Sequence, residues 1–271
     1  MLGQAKRLYE LNSLFNSKEE DKESTKIISF SSGKGGTGKS FVSSNIAYQM
    51  ASNGLRVLLI DFDINLSNLG TIFNTNSKKN LYHYFNYDYN LEDVILNYSE
   101  NLNLILGESG RSDHPELTEE KVNLFLSELN NISHNYDLIL IDTASGIDKS
   151  TLQILHNSAE VMIVTTSEPT SVMDAYVIVK MLKSNSSKAQ INVIINKTFD
   201  QNEGQIAFEN LEKAVSHFLK IKVKYAGNIS FSQEVVKSIQ NQTLLVKTEK
   251  SPEISTQLEA LSSKLSIPTI G

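Results

Sequence analysis

Gly33-Lys34-Gly35-Gly36-Thr37-Gly38-Lys39-Ser40 decides how the rest of this chain is read. The stretch fits the spacing G-x-x-x-x-G-K-[ST], with a further lysine, Lys34, directly after the first glycine. Glycines let such a loop wrap so that its backbone N–H groups face phosphate oxygens, where a Cβ would block the approach. Lys39 offers a cation to the β- and γ-phosphates, and the Ser40 hydroxyl is placed to ligate Mg²⁺. On the N-terminal side, Lys26-Ile27-Ile28-Ser29-Phe30 reads as a short apolar strand. On the other side, Ser40 to Ala51 reads as a helix with Phe41, Ile46, Ala47 and Met50 on a buried side. Strand, loop and helix in that order set the positive end of the helix beneath the phosphates. The expectation is a nucleotide site.

The chain has 271 residues, a length that suits one α/β domain with a large core. A hydrophobic share of 40% and a charged share of 21% are ordinary for a globular protein. The net charge of −6 and the absence of any Lys/Arg run disfavour nucleic acid as a partner. With no cysteine, disulfides and Cys-ligated metal centres are excluded, which fits a reducing cytoplasm. The N-terminus carries no apolar leader, and no 18-residue apolar run could span a bilayer.

Residues 1–25 stand apart from residues 26–271. Met1 to Asn16 has a helical pattern with Leu2, Ala5, Leu8, Leu11, Leu14 and Phe15 on one face. A charged linker, Ser17 to Ser24, follows. The helix either folds back on the domain or is offered to a partner. After the linker, strands expected at 26–32, 55–60, 102–106, 137–142, 160–166, 191–196 and 223–229 alternate with helices. The helical patterns lie at 39–53, 118–134, 149–157, 170–184, 202–220, 231–240 and 253–265. Runs such as Val57-Leu58-Leu59-Ile60 and Leu138-Ile139-Leu140-Ile141 suit strands buried on both faces. The expected fold is therefore α/β, a mainly parallel twisted sheet with helices on both faces. The tyrosine-rich stretch Tyr82 to Tyr89 is either a partner surface or aromatic packing over short helices.

Two buried strands end in carboxylates. Asp61 and Asp63 close Leu58-Leu59-Ile60-Asp61-Phe62-Asp63, and Asp142 closes Ile139-Leu140-Ile141-Asp142. The carboxyl edge of an open α/β sheet is where ligands sit, and carboxylates there can hold Mg²⁺ directly or through water. The candidate metal-binding set is Ser40, Asp63 and Asp142; for Asp61 the capping of a following helix stays open.

These motifs, in this order, resemble the deviant Walker A ATPases of the MinD/ParA class, a P-loop fold. The resemblance runs from about residue 26 to residue 265. Gly33 to Ser40 is similar to the deviant phosphate loop, with Lys34 as its signature lysine. Asp61 to Gly70 is similar to the first switch and Asp142 to Ile147 to the second. Glu168 to Tyr176 is similar to the segment opening the next helix, and Ile194-Ile195-Asn196-Lys197 to the strand whose asparagine meets adenine. The resemblance implies ATP and Mg²⁺ held by Gly33, Gly35, Gly36, Thr37, Gly38, Lys39, Ser40 and Asp142, with Asn196 and Lys197 at the base. It implies a homodimer closed around two ATP molecules, Lys34 reaching the partner's phosphates, Asp63 orienting water and Gly146 sensing the γ-phosphate. Lys34, Lys39 and Asp63 would be its catalytic residues. The chain departs from the class at Ala144-Ser145, at Lys197 where arginine is common, and at Asn228 to Ser232, which lacks the usual proline and aspartate. No guanine-reading N-K-x-D follows Asn196.

Within the class, Gly3-Gln4-Ala5-Lys6-Arg7-Leu8-Tyr9 resembles the D-Q-A-x-x-L-R motif that opens FlhG (FleN/YlxH) proteins, with Gln4, Ala5 and Leu8 matching. That branch implies a regulator of flagellar number and placement, partnered by an FlhF-type GTPase and flagellar switch components. DNA-partition and septum-positioning ATPases are the alternatives. The branch also implies a cytoplasmic protein, peripheral at the inner face of the membrane at the pole. The last helical pattern places Ile254, Leu258, Leu261 and Leu265 on one face, and its polar side carries Lys264 against Glu253 and Glu259. That charge balance suits core packing better than anionic lipid. Residues 266–271 are too short for a further helix, so the expected lipid binding is weak.

Overall fold

A computed structural model describes residues 25–248 and 251–265. The first half of the domain runs β1 (Lys26–Ser32), α1 (Lys39–Ser52), β2 (Val57–Phe62), α2 (Leu69–Ile72), α3 (Leu81–Asn86), β3 (Leu96–Ser99) and β4 (Leu102–Ile105). It continues through α4 (Glu119–Ile132), β5 (Leu138–Ser145), α5 (Lys149–His156), β6 (Glu160–Thr166) and α6 (Pro169–Ser184). The last elements are β7 (Gln190–Thr198), α7 (Gln201–Ala214), β8 (Lys224–Ser230), α8 (Gln233–Gln240) and α9 (Pro252–Ser262). The sheet order is β3-β4-β2-β5-β1-β6-β7-β8, and only the β3–β4 pair is antiparallel.

The apolar runs work as two-faced strands. Val57 and Leu59 of β2, with Leu138 and Leu140 of β5, enter a core shared with α1 and α9. Their neighbours Leu58, Ile60, Ile139 and Ile141 face α4 on the other side. A third cluster joins β6 and β7 to α6 and α7. Truncating one of the large members, such as Phe125, costs about 3–5 kcal/mol in a core of this kind. Several helices begin where a side chain can take the free backbone amides: Thr118 receives Lys121 N, Asp148 receives Thr151 N and Asp200 receives Glu203 N.

Several expectations shift. β2 ends at Phe62, which brings Asp61 inside the strand, and β5 continues to Ser145. β3 was not expected: Leu-Asn-Tyr-Ser is a short edge strand with alternate residues half-buried. The helix expected over 202–220 stops as an α-helix at Ala214 and widens into a π-helical turn, Val215–Leu219. The α3 part of the tyrosine-rich stretch is packing, while Tyr87 stands exposed: Tyr82, Tyr84 and Phe85 are buried, and Phe85 and Phe125 both lie against Phe62, 6.2 and 5.1 Å between ring centroids. The final helix is a core helix, with Ile254, Leu258, Leu261 and Leu265 all in the α1 cluster. Among the described residues no helix is long and apolar enough to cross a membrane. Gln4, Ala5, Leu8 and the N-terminal helix expectation lie outside the described residues.

Candidate nucleotide site

β1 is a central strand, flanked by β5 on one side and β6 on the other. From β1 the chain crosses to β2 on one side, and from β5 it crosses back over β1 to β6 on the other, so the end of β1 faces the crevice where an open sheet reverses direction. The loop of residues 33–38 leaves from that point and feeds α1, whose N-terminus has the left-handed Gly38 (φ 91°) as its cap. Two glycines are needed because other parts of the chain press on the loop. A Cβ on Gly33 would sit 2.3 Å from Asp174 Cβ of α6, and one on Gly38 would sit 2.1 Å from Asn196 Nδ2. Both distances are below any real carbon contact.

A cavity of about 530 Å³ opens over the loop. Its walls bring together Gly35 to Ser40, Asp63, Ser145, Asn196 and Lys197, all on the carboxyl edge of the sheet. Lys39, buried, donates to Asp142 Oδ1 at 2.8 Å, joining the loop to β5. Asp142 lies opposite Asp61 of β2 in the sheet register. Burial, and then the Asp142 charge, push the Asp61 carboxyl up to about 6, against the hydrogen bonds from Ser67 and Leu69 that favour its ionised form. Asp61 Oδ2 accepts from Ser67 Oγ (2.6 Å), Asn68 N (3.0 Å) and Leu69 N (2.9 Å). It therefore caps α2 and holds the segment after β2, which answers the question the sequence left open. Asp63 remains at the cavity wall, its Oδ1 accepting from Leu66 N at 3.1 Å.

The other expected residues are placed as follows. Lys34 Nζ donates to Glu168 Oε2 (2.5 Å) and reaches Thr170 Oγ1 (3.4 Å) at the start of α6. The hydrogen bond from Lys34, and then its charge, hold the exposed Glu168 carboxyl below the usual range. Asn196 Nδ2 donates to Thr37 O at 2.7 Å while its Oδ1 accepts from Lys197 N, and Lys197 Nζ donates to Gly36 O. Both β7 residues thus brace the loop. Gly146 N donates to Ser32 O at 2.8 Å. The cavity wall also includes α8 residues Val235, Val236 and Ile239, with Ile72 of α2, which the sequence reading did not assign. The only signal for them was the apolar spacing of three and four along α8.

The polar chemistry of the loop suits a triphosphate and a hard cation. Ser32 Oγ, Thr37 Oγ1 and Asp142 Oδ2 are buried with no hydrogen-bond partner among the described residues. Leaving such a group unpaired costs about 1–3 kcal/mol each, which a ligand entering there would recover. Asp142 Oδ2 and the Ser40 hydroxyl are oxygen donors of the type Mg²⁺ takes.

The AAA-domain family matches residues 25–196. The chain is 32% identical to the flagellum site-determining protein YlxH of Helicobacter pylori, an alignment covering 98% of this chain and 90% of that one. This chain belongs to the MinD/ParA-type P-loop ATPases. It is similar within them to YlxH and to the antiactivator FleN of Pseudomonas aeruginosa, 29% identical over 88% of this chain and 85% of that protein. The fold is that of the septum site-determining protein MinD of Pyrococcus horikoshii OT3 complexed with Mg-ADP (TM-score 0.72, 21% identity, 89% and 96% of the two chains). As a member of this family the chain is an ATPase, and the cavity over Gly33 to Ser40 is its candidate active site.

Proposed function

We propose that this ATPase is an ATP-switched dimer that regulates the number and placement of flagella. The observation that carries the reading is the reach of the YlxH alignment, 98% of the chain, well beyond the matched domain at residues 25–196. Such coverage takes in most of residues 1–25 as well as the folded domain, and the second relative, FleN, supports the same branch. An FlhF-type GTPase would take the N-terminal helix, and flagellar switch components the folded domain. The division into residues 1–25 and 26–271 is part of this proposal.

Lys39, the loop amides and Asn196 would hold the nucleotide, and Ser40, Asp142 and Asp63 would surround Mg²⁺, which neutralises charge on the β- and γ-oxygens when bound. The Mg-ADP in the Pyrococcus horikoshii neighbour supports this pairing of ligands. Lys39 would exchange Asp142 for phosphate. Asp63 would orient the attacking water. Lys34 would leave Glu168 for the phosphates of the second protomer, neutralising charge as an arginine finger does. Gly146 would signal the γ-phosphate by giving up its bond to Ser32 O, and hydrolysis would restore that bond and release the dimer. Dimerisation by ATP makes the bound partner, rather than the phosphate released, the output.

The test is the GTP hydrolysis rate of the FlhF-type GTPase from the same cell, with and without this full chain. Stimulation that disappears in a Gln4→Ala, Leu8→Ala double variant supports the flagellar role. A GTPase indifferent to saturating wild-type protein rejects it while leaving the ATPase intact.

A further inference from the structure

Phe231 lines the nucleotide cavity, and a second exposed phenylalanine, Phe199, stands beside it. Phe199, directly after β7, is 82% exposed and Phe231, directly after β8, is 45% exposed. Their ring centroids are 6.0 Å apart with the planes inclined at 44°. Phe231 N donates to Thr198 O at 2.7 Å, which fixes its backbone against the end of β7. Its side chain lines the same cavity wall as Gly36, Thr37, Asn196 and Lys197. Large rings left open beside a cavity forfeit the burial that would ordinarily hold them, and a flat apolar ligand face would supply it. The polar groups beside them are occupied within the protein: Asn196 is bonded to Thr37 O and Lys197 N, and Lys197 Nζ to Gly36 O.

We infer that Phe231, backed by Phe199, is the stacking platform for the nucleotide base, so that the site holds the base by its face. The inference rests on the ATPase reading of the cavity and adds the residue that receives the base. Face recognition is tolerant, because every base presents a π-surface. Phe231 therefore sets how tightly a base is held more than which purine it is. Losing the ring should weaken ATP and GTP alike.

The experiment is calorimetric binding of Mg-ATP and Mg-GTP to the full chain and to Phe231→Ala, Phe231→Leu and Phe231→Trp, with hydrolysis rates at saturating ATP. Alanine scans of base-stacking aromatics predict a loss of about 5- to 100-fold in affinity for Phe231→Ala. Phe231→Leu should share the loss and Phe231→Trp should recover it, and a loss of base affinity should appear in KM before it appears in the rate at saturating ATP. An ATP affinity unchanged in Phe231→Ala overturns the platform and leaves the ATPase reading standing. So does a loss that Phe231→Trp shares equally with Phe231→Leu, since that marks a structural role. A wild-type chain that fails to bind Mg-ATP at all overturns both.

Discussion

β2 and β5 are tied together at both ends, and the two ties differ. At their amino ends Arg56 and Asp137 form a two-pronged pair on the surface, 2.7 Å at its shortest, with Arg56 N also donating to the same carboxylate. Opposite charges meet there in water, and each is satisfied. At their carboxyl ends Asp61 lies opposite Asp142, both 1% exposed, and a single lysine, Lys39, bonds to the pair at Asp142. Like charges meet there out of water. One end of the two strands is arranged for stability, and the other keeps a tension that a phosphate and a cation can relieve. A site can be recognised in this way by interactions that make poor sense for the folded chain alone.

The largest effect expected from breaking this asymmetry is at the carboxyl end. Lys39→Ala should lower ATP hydrolysis by about 10³-fold or more by removing the phosphate cation. It should also destabilise the nucleotide-free protein by about 3 kcal/mol, because Asp142 is left buried and unpaired. A thermal melt and a phosphate-release assay on one sample read both effects. Next comes Asp63→Ala, for which a fall of about 10²-fold in hydrolysis with ATP binding nearly unchanged is expected. A rate equal to wild type would remove Asp63 from the mechanism.

Smaller, but sharper in kind, is Lys34→Ala. It should still bind ATP and lose the ATP-dependent dimer, and a sizing column showing an undiminished dimer would refute the cross-protomer role of Lys34. The finest comparison is in pH. Asp61 has its folded value raised, so its contribution is complete below about 4 and disappears as pH rises through about 6. Asp137 has its folded value lowered by Arg56, so its contribution is present above about 4 and disappears as pH falls. Melts from about pH 2.5 to 7 should thus show two slopes of opposite sign, that of Asp61 between about 4 and 6 and that of Asp137 below about 4, removed by Asp61→Asn and Asp137→Asn. The Asp137 effect should stay under about 1 kcal/mol, about 2 °C, as expected for a surface pair.

Much of this was legible where chemistry and local spacing coincide. The loop from Gly33 to Ser40 needs its residues in a fixed order, and Asp142 follows a run of apolar residues that no solvent-exposed segment would carry. Asp61 is separated from Asp63 in sequence only by the resemblance and by an open capping role; the physical difference lies in what folds over them, since Ser67, Asn68 and Leu69 return to Asp61 and not to Asp63. β3 escaped notice because an edge strand of four residues has too little pattern to separate from a turn. Glu168 was visible as part of a motif but not as the partner of Lys34, a contact spanning 134 residues. Gly33 read as a phosphate-loop glycine; that α6 requires it could be seen only with α6 in place.

Gly33 has a mechanical consequence as well. With Asp174 Cα 3.1 Å from where its Cβ would be, nothing compressible separates the loop from α6. Protein interiors transmit small displacements because they are packed like solids. A shift of the loop towards α6 would therefore press on that helix directly. The outer side of α6 exposes Met173, Val177 and Met181, spaced four residues apart.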